Sequence, residues 1–292
     1  MTRPVGSDAA GARTEVQTEI SGLPPRLFPA SPSKLSTWLD CPRAYRMRYL
    51  DRPSPPGRSA RAHTSVGLVV HTVLRDFWDL PEQHRTPGGV RELVRTSWID
   101  AGFKDAAQSN RWLRKVTGEV LDYLRESDRS TQPAGIERTV GLKTPTLAMS
   151  GRIDRLDDRD GELVVIDYKT SRRPLGADDA RTSLALAFYA QAVARLFRRD
   201  CTRVELHHVP TREVIAHDHT PESLQRKAAE AESIGQDLRA AGASYAETGP
   251  ESTAFAPRPS ALCRWCDYRQ HCPEGQAMGP EKSPWAALEP ED

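Results

Sequence analysis

The chain has 292 residues, of which 38% are apolar and 28% charged, so it is long enough to bury one sizeable core. Its 41 basic and 40 acidic residues leave a formal charge of +1, which excludes a global field that attracts nucleic acid or a membrane surface. Without a secretion-type segment at its start or a run of 18 apolar residues, we expect a cytoplasmic protein that does not span a membrane.

Helices dominate the predicted elements of the first half of the chain. Ser31 or Ser33 can cap a first helix that leads to Cys41, because a serine hydroxyl accepts a hydrogen bond from an unpaired main-chain N–H group. Gly67 opens a second helix with the sequence GLVVHTVLRDFWDL. Amphipathic patterns predict two further helices at residues 89–102 and 108–127.

Strands and helices alternate in the second half. The segments TLAMSGRIDRL and ELVVIDYKT flank DDRDG, whose Asp and Gly residues predict a hairpin turn. Further along, TRVELHHVP and REVIAHD indicate two strands, and helices are predicted at residues 180–198 and 221–242. This order predicts an α/β fold in which a mixed central sheet is flanked by helices.

In the stretch VVIDYKT, an acid and a base lie at the end of an apolar segment that is typical of a buried strand. Residues 163–166 are apolar and mostly β-branched, as expected for a strand that is buried on both faces. Asp167 and Lys169 should project to the same side, since side chains alternate along a strand. A charge in such surroundings is costly unless it is paired or coordinates a metal ion.

Asp154, Asp167 and His71 form a candidate metal site. If the hairpin forms, the two aspartates come from adjacent strands and converge at one end of the sheet. Two carboxylates and an imidazole suit Mg²⁺ or Mn²⁺. An ion there can bind a phosphate oxygen while Lys169 orients a water molecule or neutralises charge that develops on phosphorus. The pattern therefore indicates phosphodiester hydrolysis.

The motifs GLVVH, GRIDRL and VVIDYKT, in this order, resemble those of the PD-(D/E)XK nuclease superfamily, in its RecB-like exonuclease branch. The resemblance spans roughly residues 33–272. It implies a restriction-endonuclease-like core that hydrolyses DNA with Mg²⁺ or Mn²⁺, from ends and on single strands, in repair, recombination or defence. It makes Lys169 the catalytic lysine. It assigns the metal ligands to the side chains of His71, Asp154 and Asp167 and to the main-chain carbonyl of Tyr168.

The resemblance also organises the chain into one nuclease domain with two tails. We expect the domain at residues 28–272, with a mainly helical part at 28–130, a catalytic sheet core at 131–220, and a helix followed by a cysteine-cluster segment at 221–272. Residues 1–27 lack periodicity, and residues 273–292 are rich in proline. These compositions predict a disordered N-terminal tail and a flexible C-terminal tail.

One predicted helix departs from the RecB-like pattern. The branch usually follows its catalytic strand with a helix that carries Gln, three residues and then Tyr. Here Tyr189 fits the tyrosine, but Ala185 stands in the glutamine position, and Gln191 faces a different direction. Two interpretations of Tyr189 are open: contact with the nucleic acid, or packing of the helix.

Four of the five cysteines have the spacing of a metal or cluster site. Cys263, Cys266 and Cys272 lie close in sequence, and Cys41 supplies a fourth thiolate from the far end of the chain. Spacing alone allows tetrahedral Zn²⁺ or an iron-sulfur cluster. The resemblance implies a 4Fe-4S cluster with a structural role. Cys201 lies outside the pattern, and we expect it to be a buried small hydrophobe.

A basic segment follows Cys41. It contains the arginines Arg43, Arg46, Arg48, Arg52, Arg58 and Arg61 and the tyrosines Tyr45 and Tyr49. Guanidinium groups suit phosphate oxygens, and aromatic rings stack on unpaired bases. We expect Arg43, Arg46 and Arg48 to bind single-stranded DNA, although a solvated face would have the same composition.

Other interpretations remain open. Glu137 could add a carboxylate to the metal site, but its position favours an ordinary acid at a strand end, and His207 and His208 are expected to be structural. Instead of a nuclease, the chain could be a non-catalytic nucleic-acid-binding module or a zinc-stabilised subunit of a helicase-nuclease assembly. Because no G-x-x-x-x-G-K-[ST] phosphate loop occurs, a helicase partner would be a separate chain.

Overall fold

A mixed sheet forms the centre of the computed structural model, which describes residues 26–54, 60–127 and 132–289. Within these residues the strands are β1 (Phe28–Ala30), β2 (Gly135–Lys143), β3 (Leu147–Arg159), β4 (Glu162–Lys169), β5 (Arg203–His208) and β6 (Glu213–Asp218). Their order is β1-β3-β4-β5-β6, and β2 also pairs with β3. The β1–β3 and β4–β5 pairs are parallel, and the others are antiparallel.

Helices cover both faces of this sheet. They are α1 (Pro32–Asp40), α2 (Pro42–Tyr49), α3 (Ala62–Asp79), α4 (Pro87–Ser97), α5 (Ala106–Glu126), α6 (Ala177–Thr182), α7 (Leu184–Phe197), α8 (Pro221–Thr248) and α9 (Pro273–Gln276). The predicted α/β fold class is therefore confirmed. None of the helices in the described part of the chain is long and apolar enough to cross a bilayer.

Most predicted elements are present, with shifted ends. Ser31 caps α1 by accepting a hydrogen bond from the Lys34 N–H group at 3.2 Å. The helix predicted from Gly67 begins five residues earlier, at Ala62. The DDRDG turn is a two-residue hairpin loop in which Asp160 and Gly161 have φ angles of 52° and 99°, a backbone region that suits this pair of residues.

Strand β4 is buried on both of its faces, as its sequence predicts. Leu163 and Val165 pack into a core formed with α1, α7 and α8, whereas Val164 and Ile166 pack into a second core formed with α3, α4 and α5. All four side chains are fully buried. The strand is thus clamped between two cores, which fixes the position of the polar residues that follow it.

The C-terminal segment differs from the flexible tail that the sequence predicts. Residues 273–289 pack on the N-terminal helices: Trp112 Nε1 donates to the Leu288 carbonyl at 3.2 Å, and the Ala62 N–H donates to the Pro284 carbonyl at 3.1 Å. Leu288 is buried, so its apolar burial outweighs the proline content that suggested mobility. Residues 1–25 and 290–292 lie outside the described residues.

A buried ionic network spans β3 and β5. Glu205 accepts two hydrogen bonds from Arg159, at 2.8 and 2.9 Å, one from Arg203 at 2.9 Å and one from His207 at 2.9 Å. His207 in turn bonds to the Tyr123 hydroxyl at 2.7 Å. Burial alone would raise the pKa of Glu205, but its hydrogen-bonding partners hold it below the usual range. The structural role predicted for His207 agrees with this contact.

Replacing Glu205 by glutamine should destabilise the fold. We expect Glu205→Gln to lower the free energy of unfolding in urea at pH 7 by roughly 2–4 kcal/mol, because the partly exposed Arg159 and Arg203 lose a buried counter-charge. Since the folded pKa is depressed, the difference should be present above pH 4.5 and shrink as the pH falls below it. Asp178→Asn, in an exposed ion pair, is the control and should behave as wild type. Equal stability of Glu205→Gln and wild type at pH 7 would contradict the network.

Candidate functional site

Three carboxylates lie in one row across neighbouring strands. Arg155 pairs with Ile136 on one side and with Ile166 on the other. The regular β2–β3 pairing is interrupted at Glu137 and the β3–β4 pairing ends at Arg155, and an extension of this register by one residue would set Asp154 between Glu137 of β2 and Asp167 of β4. The antiparallel hairpin thus brings together two aspartates that are 13 residues apart in sequence, as predicted.

His71 of α3 completes the row. Its Nδ1 lies 3.3 Å from Asp154 Oδ1, and the Tyr168 N–H donates to Asp154 Oδ2 at 2.8 Å. One ligand atom from each of His71, Glu137 and Asp154 can be chosen so that all three lie within 4.8 Å of one another. The main-chain bond from Tyr168 fixes one oxygen of Asp154, which leaves the other directed at the imidazole. An imidazole and carboxylates at this spacing can hold a divalent cation.

The negative charge of the acids in this site is only partly offset by the neighbouring basic groups. Burial raises the pKa of Asp167, and the Lys169 ammonium offsets only part of this effect while the charge of Asp154 adds to it. Burial and the charge of Asp154 likewise keep the pKa of Glu137 above its usual value, against the opposing effect of Arg152. Burial would lower the pKa of His71, but the carboxylates raise it above 6.5. Such a site is stabilised by an added cation.

Lys169 and Asp167 form a close ion pair beside the row. Lys169 Nζ lies 2.6 Å from Asp167 Oδ2, and both side chains extend to the same side of β4, as the alternation predicts. The lysine side chain is about 43% exposed, so it is partly accessible to solvent. The structure therefore pairs Asp167 with Lys169 and His71 with Asp154, whereas the described residues that have the spacing of metal ligands are His71, Glu137 and Asp154, without Asp167.

Glu137 is the residue that sequence reasoning underrated. The sequence favoured an ordinary acid at a strand end, but the carboxylate lies with His71 and Asp154. Its φ angle is 46°, in the left-handed region that a residue with a side chain rarely adopts, and its carboxylate also contacts Arg152 Nε at 2.6 Å. Strain of this kind is concentrated at functional sites. In the sequence, the only feature that points to Glu137 is its separation from Asp154, and this separation becomes informative once the β2–β3 register is known.

Tyr189 of α7 lies next to the carboxylates and packs on Gly151. A Cβ atom at Gly151 would lie 2.7 Å from Tyr189 Cε1, so a side chain at this position would displace the Tyr189 ring. Burial, together with the charges of Asp167 and Asp154, raises the pKa of Tyr189 to about 12, and its hydroxyl stays protonated. Gln191 donates to the Ala187 carbonyl at 3.2 Å within its own helix and does not replace the glutamine missing at Ala185.

The four patterned cysteines line one pocket of about 210 Å³. Cys41 lies at the junction of α1 and α2, and Cys263, Cys266 and Cys272 come from the loop before α9. Among the described residues, no three cysteine sulfurs lie within 4.8 Å of one another. Cys201 is buried away from this pocket, with Sγ 3.4 Å from the Leu163 carbonyl, as predicted for a small hydrophobe.

Side chains of the basic segment that follows Cys41 largely form contacts within the protein. Arg43 donates to Glu274 at 2.6 Å and Arg46 to the Pro250 carbonyl at 2.6 Å, so both guanidinium groups bind the C-terminal part of the chain. The Tyr45 ring is buried and cannot stack on a base. Arg48 is exposed, and Arg58 lies outside the described residues. The surface expected to bind single strands is thus reduced mainly to Arg48.

Comparisons with known proteins identify the family of this arrangement. Residues 29–273 match the family model of the PD-(D/E)XK nuclease superfamily, which covers more than half of the chain. No curated protein matches the chain. A crystal structure named "Putative exonuclease", from Eubacterium rectale, is 12% identical, with 83% of this chain and 87% of that chain covered and a TM-score of 0.48. The crystal structure of SSO0001 is 14% identical, with 71% and 84% covered and a TM-score of 0.31.

Removing the Glu137 carboxylate should weaken binding of a divalent cation. We expect Glu137→Gln to raise the Kd for Mn²⁺, measured by isothermal titration calorimetry, at least roughly 10-fold, because even carboxylates outside the ligand set contribute this much. Asp158→Asn removes a carboxylate of the neighbouring strand β3 that pairs with Arg199 at the surface, and it should leave the Kd unchanged. An unaltered Kd in Glu137→Gln would exclude this residue from the site.

Proposed function

The chain belongs to the PD-(D/E)XK nuclease superfamily, and from this premise we propose that it is a Mg²⁺- or Mn²⁺-dependent deoxyribonuclease that hydrolyses phosphodiester bonds. The observation that carries the proposal is the gathering of His71, Glu137 and Asp154 beside the Asp167–Lys169 pair. The chemistry of this donor set, one imidazole nitrogen with carboxylate oxygens, fits a hard or intermediate divalent cation.

The proposed ligands are the side chains of His71, Glu137, Asp154 and Asp167, with the main-chain carbonyl of Tyr168. A bound cation supplies Lewis acidity toward a phosphate oxygen and offsets the negative charge of the site. The raised pKa of Asp167 supports this assignment, because a buried carboxylate with an acidic neighbour releases its proton most readily when a cation is close. The hydrogen bond from the Tyr168 N–H orients Asp154 for the same purpose.

Lys169 is proposed as the catalytic residue that serves the scissile phosphate. Its ammonium is held by Asp167 and is partly exposed, so it can donate to a phosphate oxygen or orient the attacking water molecule. A compact ammonium with three donors can rotate between these partners, whereas a planar guanidinium is larger and less adaptable. Tyr189, whose phenol stays protonated beside Asp167 and Asp154, is proposed to donate a hydrogen bond to the substrate.

The proposed substrate is DNA with ends, and single-stranded DNA in particular. The sequence resemblance to the RecB-like exonuclease branch supports an exonuclease of DNA repair, recombination or defence in the cytoplasm. A helicase partner in trans is proposed as well. Arg48 remains a proposed contact to the DNA backbone, whereas the charges of Arg43 and Arg46 are already paired with the carboxylates of Glu274 and Asp51.

A 4Fe-4S cluster is proposed at Cys41, Cys263, Cys266 and Cys272. The four residues line one pocket, and the choice of a 4Fe-4S cluster over Zn²⁺ is supported by the sequence resemblance to RecB-like nucleases that have one cysteine before the nuclease motifs and three after them. Because these ligands come from opposite ends of the domain, the cluster would hold α1 and α2 against the C-terminal segment.

Loss of the lysine amine should abolish hydrolysis while the fold survives. We expect Lys169→Ala to slow Mn²⁺-dependent degradation of labelled linear single-stranded DNA at least about 100-fold, the usual contribution of a positioned proton-transfer or charge-stabilising group. Lys143→Ala, on the exposed end of β2, is the matched control and should degrade DNA as wild type does. Equal rates for Lys169→Ala and wild type would reject the proposed centre.

The cysteine pocket should contain iron rather than zinc. Protein purified without oxygen should absorb visible light and contain about four iron atoms per chain by elemental analysis. Cys266→Ser should lose this iron, whereas Cys201→Ala, which changes a buried cysteine outside the pocket, should keep it. A colourless wild-type protein with one zinc atom would contradict the cluster and leave the nuclease centre untouched.

A further inference from the structure

A groove of about 470 Å³ lies beside the candidate metal centre. It is formed by α3, α5, the segments that follow β4 and β5, and the C-terminal residues Ala287 and Leu288. Its size is within the range of pockets that hold small ligands. We call it the α3–α5 groove.

The α3–α5 groove and the metal centre share two structural elements. Val70 lines the groove and precedes His71 on α3, and Thr170 lines the groove and follows Lys169 at the end of β4. The two elements touch here, since a Cβ atom at Gly67 would lie 3.3 Å from Thr170 Oγ1. The groove therefore begins one residue from His71 on α3 and one residue from Lys169 on β4, and a polymer bound at the metal centre would reach it by passing around the end of β4.

The walls of the groove are mainly apolar. They include Val66, Val70, Trp112, Val209, Pro210 and Leu288. One lining residue has a polar atom without a partner: His63 Nδ1 is buried and has no hydrogen-bond partner among the described residues. Apolar walls of this kind suit the faces of a flat heterocycle.

The rim of the groove is positively charged. Arg172, three residues after Lys169, donates to the main-chain carbonyls of Ala287, at 3.3 Å, and Glu289, and these carbonyls leave its charge in place. Lys115 pairs with Glu119 and also lies 5.1 Å from the centre of the Trp112 ring. A guanidinium at the mouth of an apolar groove complements a phosphate group attached to a planar base.

We propose that the α3–α5 groove is a subsite for one unpaired nucleotide next to the scissile phosphate, in which the base enters between α3 and α5 and Arg172 binds the adjoining phosphate. The inference rests on the nuclease function proposed above and gives it a structural source of strand preference. A base in this groove must leave its stack. Unstacking a base costs a few kcal/mol in a duplex and much less in a single strand. The basic segment after Cys41 is then not the main determinant of single-strand binding.

Equilibrium binding without hydrolysis tests the subsite. In EDTA, fluorescence anisotropy gives the Kd of wild type for a labelled 12-residue oligothymidylate, for an abasic strand of equal length, and for a blunt hairpin duplex. We expect oligothymidylate to bind at least about 10-fold tighter than either of the other two, since base contacts are worth about 1–3 kcal/mol each.

Two variants separate the base contact from the phosphate contact. Arg172→Ala should weaken binding of both single strands about 10-fold, as expected for one charge-assisted contact. Ser171→Trp, at an exposed position of the lining, should fill the groove and remove the preference for oligothymidylate over the abasic strand. The control Arg226→Ala changes an exposed arginine on α8 and should bind like wild type.

Equal wild-type affinity for the thymidine and abasic strands would overturn the proposal, as would variants at 171 and 172 that both bind like wild type. Failure of the nuclease function has a different signature. Hydrolysis of bis(4-nitrophenyl) phosphate with Mn²⁺ requires the metal centre and no base, so its absence in wild type would count against the proposed function even if the strand preference were found.

Discussion

The arrangement of β2, β3 and β4 forces three acidic side chains into one row, and this constraint governs the candidate centre. Asp154 lies close to Glu137, and its charge acts on both Glu137 and Asp167, whose pKa values are raised mainly by burial. Mutual repulsion of buried carboxylates is unfavourable for folding unless cations compensate for it. Lys169, Arg152 and His71 supply part of this compensation, and the negative charge that remains makes the cluster a candidate site for a divalent cation.

The rest of the fold holds this row in place. The two hydrophobic cores pack on opposite faces of β4 and fix the position of its polar end. Helix α3 belongs to one of these cores and places His71 near the ends of the strands. The start of α3 is in turn tied to the cysteine loop, because Arg61 contacts Asp267 at 2.5 Å and the His63 ring packs edge-on against Trp265. The same helix lines the groove proposed for a nucleotide. One element thus connects the cysteine pocket, the metal centre and the groove.

Much of the fold and of the candidate site could be predicted from the sequence, because these features follow from local residue patterns. The apolar run before Asp167, the Asp-Gly turn and the alternation of Asp167 with Lys169 reflect local rules, and the strand, turn and common side follow from them. β1 has only three residues, and β2 is largely exposed, so neither gives a clear periodic signal. Glu137 could not be recognised without the β2–β3 register. The partners of Arg43 and Arg46 lie more than 200 residues away, which composition cannot reveal.

The central claim is that one imidazole and the acids of this row bind a single divalent cation. Anomalous diffraction from a crystal soaked in Mn²⁺ tests it most directly, since the ion itself is located. The account predicts one strong peak in contact with His71, Asp154 and at least one of Glu137 and Asp167. A peak bound elsewhere, or no peak at these side chains at a saturating Mn²⁺ concentration, would contradict it.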